Sequence, residues 1–318
     1  MSFAFVFPGQ GSQSIGMLAA LADEPTVRDT FAEASGVLGY DLWRLTQSGP
    51  EERLNATEQT QPAMLTAGVA LWRLWGKRGG GDPVRVSGHS LGEFTALACA
   101  ASLEFRTAVE LVRVRGRVMQ EAVPAGAGAI AAILGLEDEA VGAVCREAAQ
   151  GGIVEPVNFN APGQVVIAGE RAAVERAIGM AKGRGAKRAV ELPISVPSHS
   201  SLMRAAAVRF GEHLASIPIV RPRLTYVSAV DAREHAEPDD IRRLLTAQLA
   251  SPVRWQDTVR ALASSGIRQL IECGPGKVLT ALNKRIERRP DLACLAIDDG
   301  VALEAALAAS QASGSKGT

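Results

Sequence analysis

Pro83-Val84-Arg85-Val86-Ser87-Gly88-His89-Ser90-Leu91-Gly92 joins a short apolar run, a serine between two glycines and the opening of a helix pattern. Strand, then Gly-x-Ser-x-Gly, then helix is the setting of a nucleophile elbow. The glycines permit a turn sharp enough to lift the Ser90 hydroxyl clear of a sheet edge. The first N–H groups of the following helix, Leu91 to Ala100, point toward the same place and favour a developing negative charge there. His89 adjoins the serine but points elsewhere on so tight a turn, so packing or a supporting contact is expected of it. Glu93 reads as an acid of the first helical turn.

Outward from this elbow, strand-like runs alternate with helical ones, which argues for a mainly parallel sheet covered by helices. Phe3 to Phe7, Pro83 to Ser87, Ile267 to Glu272 and Ala293 to Ile297 read as strands. Gln61 to Trp75, Leu91 to Ala100 and Glu104 to Gln120 carry helix periodicity. One segment has its own rhythm. Gly128 to Leu134, Val154 to Asn158, Gln164 to Ala168 and Lys187 to Pro193 read as strands, and Glu137 to Ala149 and Arg171 to Lys182 as helices. Asn160-Ala161-Pro162-Gly163 reads as the turn between the second and third strands. The order βαββαβ is that of a ferredoxin-like unit. The expected division is a core of residues 1–124 and 196–309, an inserted small subdomain of 125–195, and a loose Ser/Gly/Ala tail of 310–318.

Composition narrows the function classes. The 318 residues are 47% hydrophobic and 21% charged, with Lys plus Arg equal to Asp plus Glu at 34 each. No net field favours nucleic acid or an anionic membrane. No apolar run reaches the length of a membrane span, and the first residues read as a buried strand rather than a signal peptide. Cys99, Cys145, Cys273 and Cys294 are too dispersed for a zinc site or a disulfide framework, so buried thiols in a cytoplasmic protein are expected. Neither a metal nor a cofactor is implied.

A serine nucleophile needs a base, normally histidine, and the chain has four. His213 lies in a charged helical pattern and His235 in an acidic loop; both read as surface residues. His199, in Val196-Pro197-Ser198-His199-Ser200, follows the last strand of the small subdomain, where catalytic side chains are commonly mounted. Acids between Ser90 and His199 fall mainly in the two subdomain helices and look solvated. A dyad whose imidazole is held by a neutral group therefore fits better than a carboxylate triad. With His199 as base, acylation is expected to fall as pH drops through the imidazole range.

Further blocks stand in order around these two residues: Val6-Phe7-Pro8-Gly9-Gln10-Gly11-Ser12-Gln13, Thr60-Gln61-Pro62-Ala63, Arg115-Gly116-Arg117-Val118-Met119-Gln120, Asn160-Ala161-Pro162-Gly163-Gln164, Ser251-Pro252-Val253-Arg254-Trp255 and Glu272-Cys273-Gly274-Pro275-Gly276-Lys277. With the Ser90 and His199 motifs they make the chain resemble, nearly end to end, the malonyl-CoA:acyl carrier protein transacylase family of bacterial fatty acid synthesis. The resemblance implies an α/β fold with a hydrolase-like core and a ferredoxin-like insert. It implies Ser90 as nucleophile, His199 as base, and the backbone N–H groups of Gln10 and Leu91 as oxyanion hole. Gln248 matches the residue whose backbone carbonyl orients the histidine, the neutral partner that the missing acid calls for. Gln61 and Asn160 match polar residues of the pocket.

Arg115 matches the arginine that pairs with the free malonyl carboxylate, a task that suits a planar guanidinium. Sequence alone leaves Arg113, Arg115 and Arg117 on one amphipathic helix, where all three could be solvated. Ala229 stands where many relatives carry an asparagine, which removes a polar group there. The implied partners are malonyl-CoA and acyl carrier protein, and a monomer is expected. Two other readings stay open: a malonyl transferase of a polyketide or malonate-decarboxylase system, and a Gly-x-Ser-x-Gly thioesterase, which would give Arg115 no purpose.

Overall fold

The computed structural model describes residues 2–124, 126–194 and 196–311. Ten strands occur among them: β1 (Phe3–Phe7), β2 (Arg85–Gly88), β3 (Gly128–Leu134), β4 (Val154–Ala161), β5 (Gln164–Glu170), β6 (Arg188–Glu191), β7 (Thr225–Val227), β8 (Glu234–His235), β9 (Gln269–Glu272) and β10 (Ala293–Ala296). They form two sheets. The larger has the order β10-β9-β1-β2-β7-β8 and is parallel except at the β7–β8 edge.

Every residue of β1 is buried, because helices cover both faces of the central strand and leave no solvent side. That is why Phe3-Ala4-Phe5-Val6-Phe7 shows no alternation. On one face Phe3 and Phe5 pack against Trp75 of the helix Thr57–Lys77. The helix Phe105–Gln120 packs close by. Its Gly116 makes the approach possible, since a Cβ there would lie 2.7 Å from the Glu58 backbone. These two helices carry Gln61 and Arg115.

The smaller sheet has the order β4-β5-β3-β6 and is antiparallel throughout, with Asp138–Ala149 and Arg171–Gly183 as its helices. This is the ferredoxin-like arrangement. It is stitched to the core beside β4: Phe159 N–H donates to Val253 O at 2.9 Å, and Val253 N–H to Val157 O at 2.8 Å.

Some boundaries differ from the sequence reading. The strand at the elbow starts at Arg85, and Pro83 and Val84 only lead into it. β4 runs through Ala161, so Asn160 and Ala161 belong to the strand and only Pro162-Gly163 turns. Hairpin pairing with β5 extends the strand past the point where its apolar pattern ends. Ser310 and Gln311 complete the helix Gly300–Gln311 rather than starting a loose tail, and 312–318 lie outside the described residues.

Candidate active site

The elbow is built as its residue types demand. Ser90 has φ of 54°, in the left-handed region that costs a non-glycine residue about 1–3 kcal/mol. The chain around it is packed backbone to backbone. A Cβ on Gly88 would lie 1.9 Å from the Gly92 carbonyl carbon, and one on Gly92 would lie 2.0 Å from Phe7 O. Both glycines are therefore dictated by close approach. His89 N–H donates to Phe7 O at 2.9 Å, tying the turn to the end of β1.

His199 is also held left-handed, with φ of 68°. Its N–H donates to Leu249 O at 3.0 Å. Glu155 of β4 accepts from Ser201 N–H at 2.6 Å, so the insert steadies the loop that carries the imidazole. The ring stands 2.7 Å from Gln248 O through Nδ1 and 2.8 Å from Ser90 Oγ through Nε2. A carbonyl can only accept, so Nδ1 carries the proton and Nε2 is left as the acceptor for the serine hydroxyl. A neutral backbone group thus sets the tautomer that a base requires. Burial, and next the Arg115 charge, lower the His199 pKa to about 3.

Arg115 reaches the same spot from the helix Phe105–Gln120. Its Nη2 donates to Ser90 Oγ at 3.1 Å and to Gln248 Oε1 at 2.7 Å, and the guanidinium carbon sits 5.3 Å from the centre of the Phe94 ring. It is 1% exposed, whereas Arg117 is exposed and Arg113 is half-buried against Glu110. Burial lowers the Arg115 pKa to about 9, with the Glu93 charge opposing, so the group is cationic at neutral pH. Its Nε is buried without a partner, and so is Gln61 Oε1. Buried polar atoms are rarely left unpaired in a finished interior.

These residues face a cleft of about 400 Å³. Gln10, Leu91, Arg115 and His199 line its core side, and Ile130, Val166 and Leu192 its insert side. The Gln10 and Leu91 backbone N–H groups donate to nothing among the described residues, which leaves them open to a ligand. Asn160 lines the cleft with its Oδ1 2.9 Å from His89 Nε2. His89 is half-buried, packs beside Trp255, and has its pKa lowered chiefly by desolvation, so it acts as a neutral prop for Asn160. Seven of the eight residues expected at the site line this cleft, and the eighth, Gln248, stands behind it against His199 and Arg115.

His213 and His235 lie outside the cleft but are partly buried rather than surface residues, and His235 is only 12% exposed against Asp231. Helix and hairpin packing cover rings that their charged neighbours had suggested were wet. Ala229 is fully buried among Val6, Val227 and Trp255, and is not part of the cleft lining.

Glu93 is not an ordinary first-turn acid. It is 1% exposed, accepts from Tyr226 Oη and accepts from Gln248 Nε2 at 2.7 Å. Burial raises its pKa, and the hydrogen bonds from Tyr226 and Gln248 oppose that rise. A signal for it existed. The helix Gly92–Cys99 has no other charged residue and no polar face, so it must be buried and its one acid must have partners. Among the described residues no cluster of three or more His, Cys, Asp or Glu could hold a metal ion.

The acyl transferase domain family matches residues 4–297. The chain is 55% identical to the malonyl CoA-acyl carrier protein transacylase of Escherichia coli O157:H7, over 96% of this chain and 98% of that one. The Bacillus subtilis protein of the same name is 43% identical over 96% of both. Among solved structures, an acyl carrier protein S-malonyltransferase from Vibrio cholerae O1 superposes with a TM-score of 0.93 at 52% identity, covering 96% of this chain and all of that one. A malonyl-transacylase in complex with a type II polyketide synthase acyl carrier protein superposes with a TM-score of 0.95 at 53% identity, covering 96% and 99%. The chain belongs to the acyl transferase domain family and, within it, to the malonyl CoA-acyl carrier protein transacylases.

Proposed function

We propose that this enzyme moves malonyl from coenzyme A to the phosphopantetheine thiol of acyl carrier protein through an ester on Ser90, feeding fatty acid synthesis. One observation carries the malonyl assignment: a fully buried, cationic Arg115 stands 3.1 Å from the Ser90 hydroxyl with its Nε unpaired. A carboxylate must leave water to enter such a cleft, and only a paired cation makes that tolerable. A thioesterase acting on neutral acyl groups would bury this charge to no purpose.

The steps follow from the hydrogen bonds. His199 Nε2 takes the Ser90 proton as Oγ attacks the thioester carbonyl. The N–H groups of Gln10 and Leu91 receive the charge that develops on oxygen. The tetrahedral adduct collapses, the C–S bond breaks, and the coenzyme A thiolate takes the proton from His199. The carrier thiol then gives its proton to His199 and attacks the malonyl ester. Ser90 Oγ leaves and recovers that proton. Gln248 O stabilises the imidazolium in both halves through Nδ1–H. Gln61, whose amide with N and O exchanged would present N–H to the cleft, and Asn160 are proposed to position the malonyl group.

We place the enzyme in the cytoplasm as a monomer; among the described residues no helix is long and apolar enough to cross a membrane. A polyketide carrier is the second reading, favoured by the likeness to the transacylase solved with such a carrier. The test is intact-protein mass after malonyl-CoA is added, and again after carrier protein. One malonyl mass should appear on the peptide bearing Ser90, vanish with either carrier that is a true acceptor, and be absent in Ser90→Ala. Full labelling of Ser90→Ala would remove Ser90 as the nucleophile.

A further inference from the structure

Beneath the elbow, Arg115, Gln248 and Glu93 stand in line. Arg115 Nη2 donates to Gln248 Oε1 at 2.7 Å, and Gln248 Nε2 donates to Glu93 Oε1 at 2.7 Å and to Ser90 O at 3.0 Å. Tyr226 Oη donates to the other Glu93 oxygen. None of the four side chains is more than 1% exposed. The amide has only one workable orientation, since its NH2 meets two acceptors and its oxygen meets a donor. Donors on both carboxylate oxygens are what an ionised Glu93 accepts.

The arrangement holds two opposite charges one amide apart in an interior where their attraction is strong. Arginine has a flexible stem and a fork that fits a carboxylate. Were Arg115 to close on Glu93, the guanidinium would turn from the cleft and a substrate carboxylate would have no partner. We infer that the Gln248 side chain is a spacer that keeps Arg115 from pairing with Glu93, which makes Gln248 a specificity-determining positioning residue. This is separate from its backbone carbonyl, which serves His199. Glu93 then balances the Arg115 charge in the empty site without competing for the guanidinium. The unpaired Nε of Arg115 agrees with a guanidinium held back from Glu93, the carboxylate whose charge acts on it.

The inference rests on the proposed role of Arg115, and the experiment separates the two. The quantity is the ratio of kcat/KM for malonyl-CoA to that for acetyl-CoA, with acyl carrier protein as acceptor. Gln248→Ala should lower this ratio by about tenfold or more. Adding Glu93→Gln, which removes the competing charge, should restore most of it. A structural loss would not be rescued by a second substitution in the same buried cluster. Glu93→Gln alone should keep or raise the ratio, and it decides the matter if the Gln248 variants do not fold. An unchanged ratio in Gln248→Ala, no rescue in the double variant, or a ratio lowered in Glu93→Gln would each overturn the spacer. Arg115→Ala runs beside them. If it keeps the wild-type ratio, the reading of Arg115 fails as well; if it alone loses the ratio, only the spacer does.

Discussion

The Ser90–His199 pair and the Arg115 pocket beside it share one cleft, yet they are built on opposite terms. In the pair every polar group is matched, and its own members are neutral, hydroxyl to imidazole and imidazole to carbonyl, with Arg115 the one charged neighbour, donating to the hydroxyl. In the pocket a cation is buried with one N–H unpaired, and Gln61 lacks a partner for its oxygen. The first region has its partners within the chain, and the second is proposed to find its partner in the malonyl carboxylate. Preorganised groups serve steps common to all acyl donors. Groups left wanting a partner serve discrimination, because an analogue lacking the matching group leaves them unpaired. Chemistry and choice of donor should therefore be separable by substitution.

The largest separation is expected at the base. His199→Ala should slow single-turnover acylation by about 10²–10⁴-fold, the usual worth of a positioned general base. It should do so nearly equally for malonyl-CoA and acetyl-CoA, because the step it serves does not involve the carboxylate. Rapid-quench acylation with both donors checks this. A loss confined to malonyl-CoA would collapse the two regions into one.

A smaller effect sharpens the contrast through pH. The sequence predicts that acylation falls through the ordinary imidazole range, but burial and Arg115 hold His199 near a pKa of about 3. The imidazole then remains a free base far below pH 6.5, and single-turnover acylation should stay flat from about pH 8 to 5. The corresponding stability effect has a definite sign. The folded pKa lies below the unfolded one, so the unfolded chain takes up a proton first as pH falls. Stability should drop progressively from about pH 6.5 toward the folded pKa, and the drop should be shallower in His199→Ala. Urea unfolding of both proteins at pH 7 and pH 5 measures it.

What could be read in advance divides along the same line. Ser90 announced itself because close backbone approach leaves a glycine pattern in the chain. His199 emerged because four histidines make a short search, and the four strands of the insert were visible in their apolar rhythm. Arg115 was legible in part. It shares a helix face with Leu111, Val118 and Met119, all buried, while Arg113 and Arg117 turn elsewhere. Its contact with Gln248 joins residues far apart in the chain, and no local pattern encodes a pairing made only by the tertiary fold. Tyr226 was missed for the same reason. The end of β4 was misplaced because hairpin pairing, not residue type, decides how far a strand runs.

Arg115 is proposed to make this cleft a site for a carboxylated acyl group. Losing one member of a buried charged pair costs about 3–5 kcal/mol, which is about 10²-fold to about 5 × 10³-fold in rate. The decisive measurement is the malonyl-to-acetyl ratio of kcat/KM in wild type, Arg115→Ala and Arg115→Lys. The ratio should fall by about that factor in Arg115→Ala and recover only in part in Arg115→Lys, which keeps the charge but not the planar two-point contact. A wild-type ratio in Arg115→Ala would contradict the account and require another partner for the carboxylate.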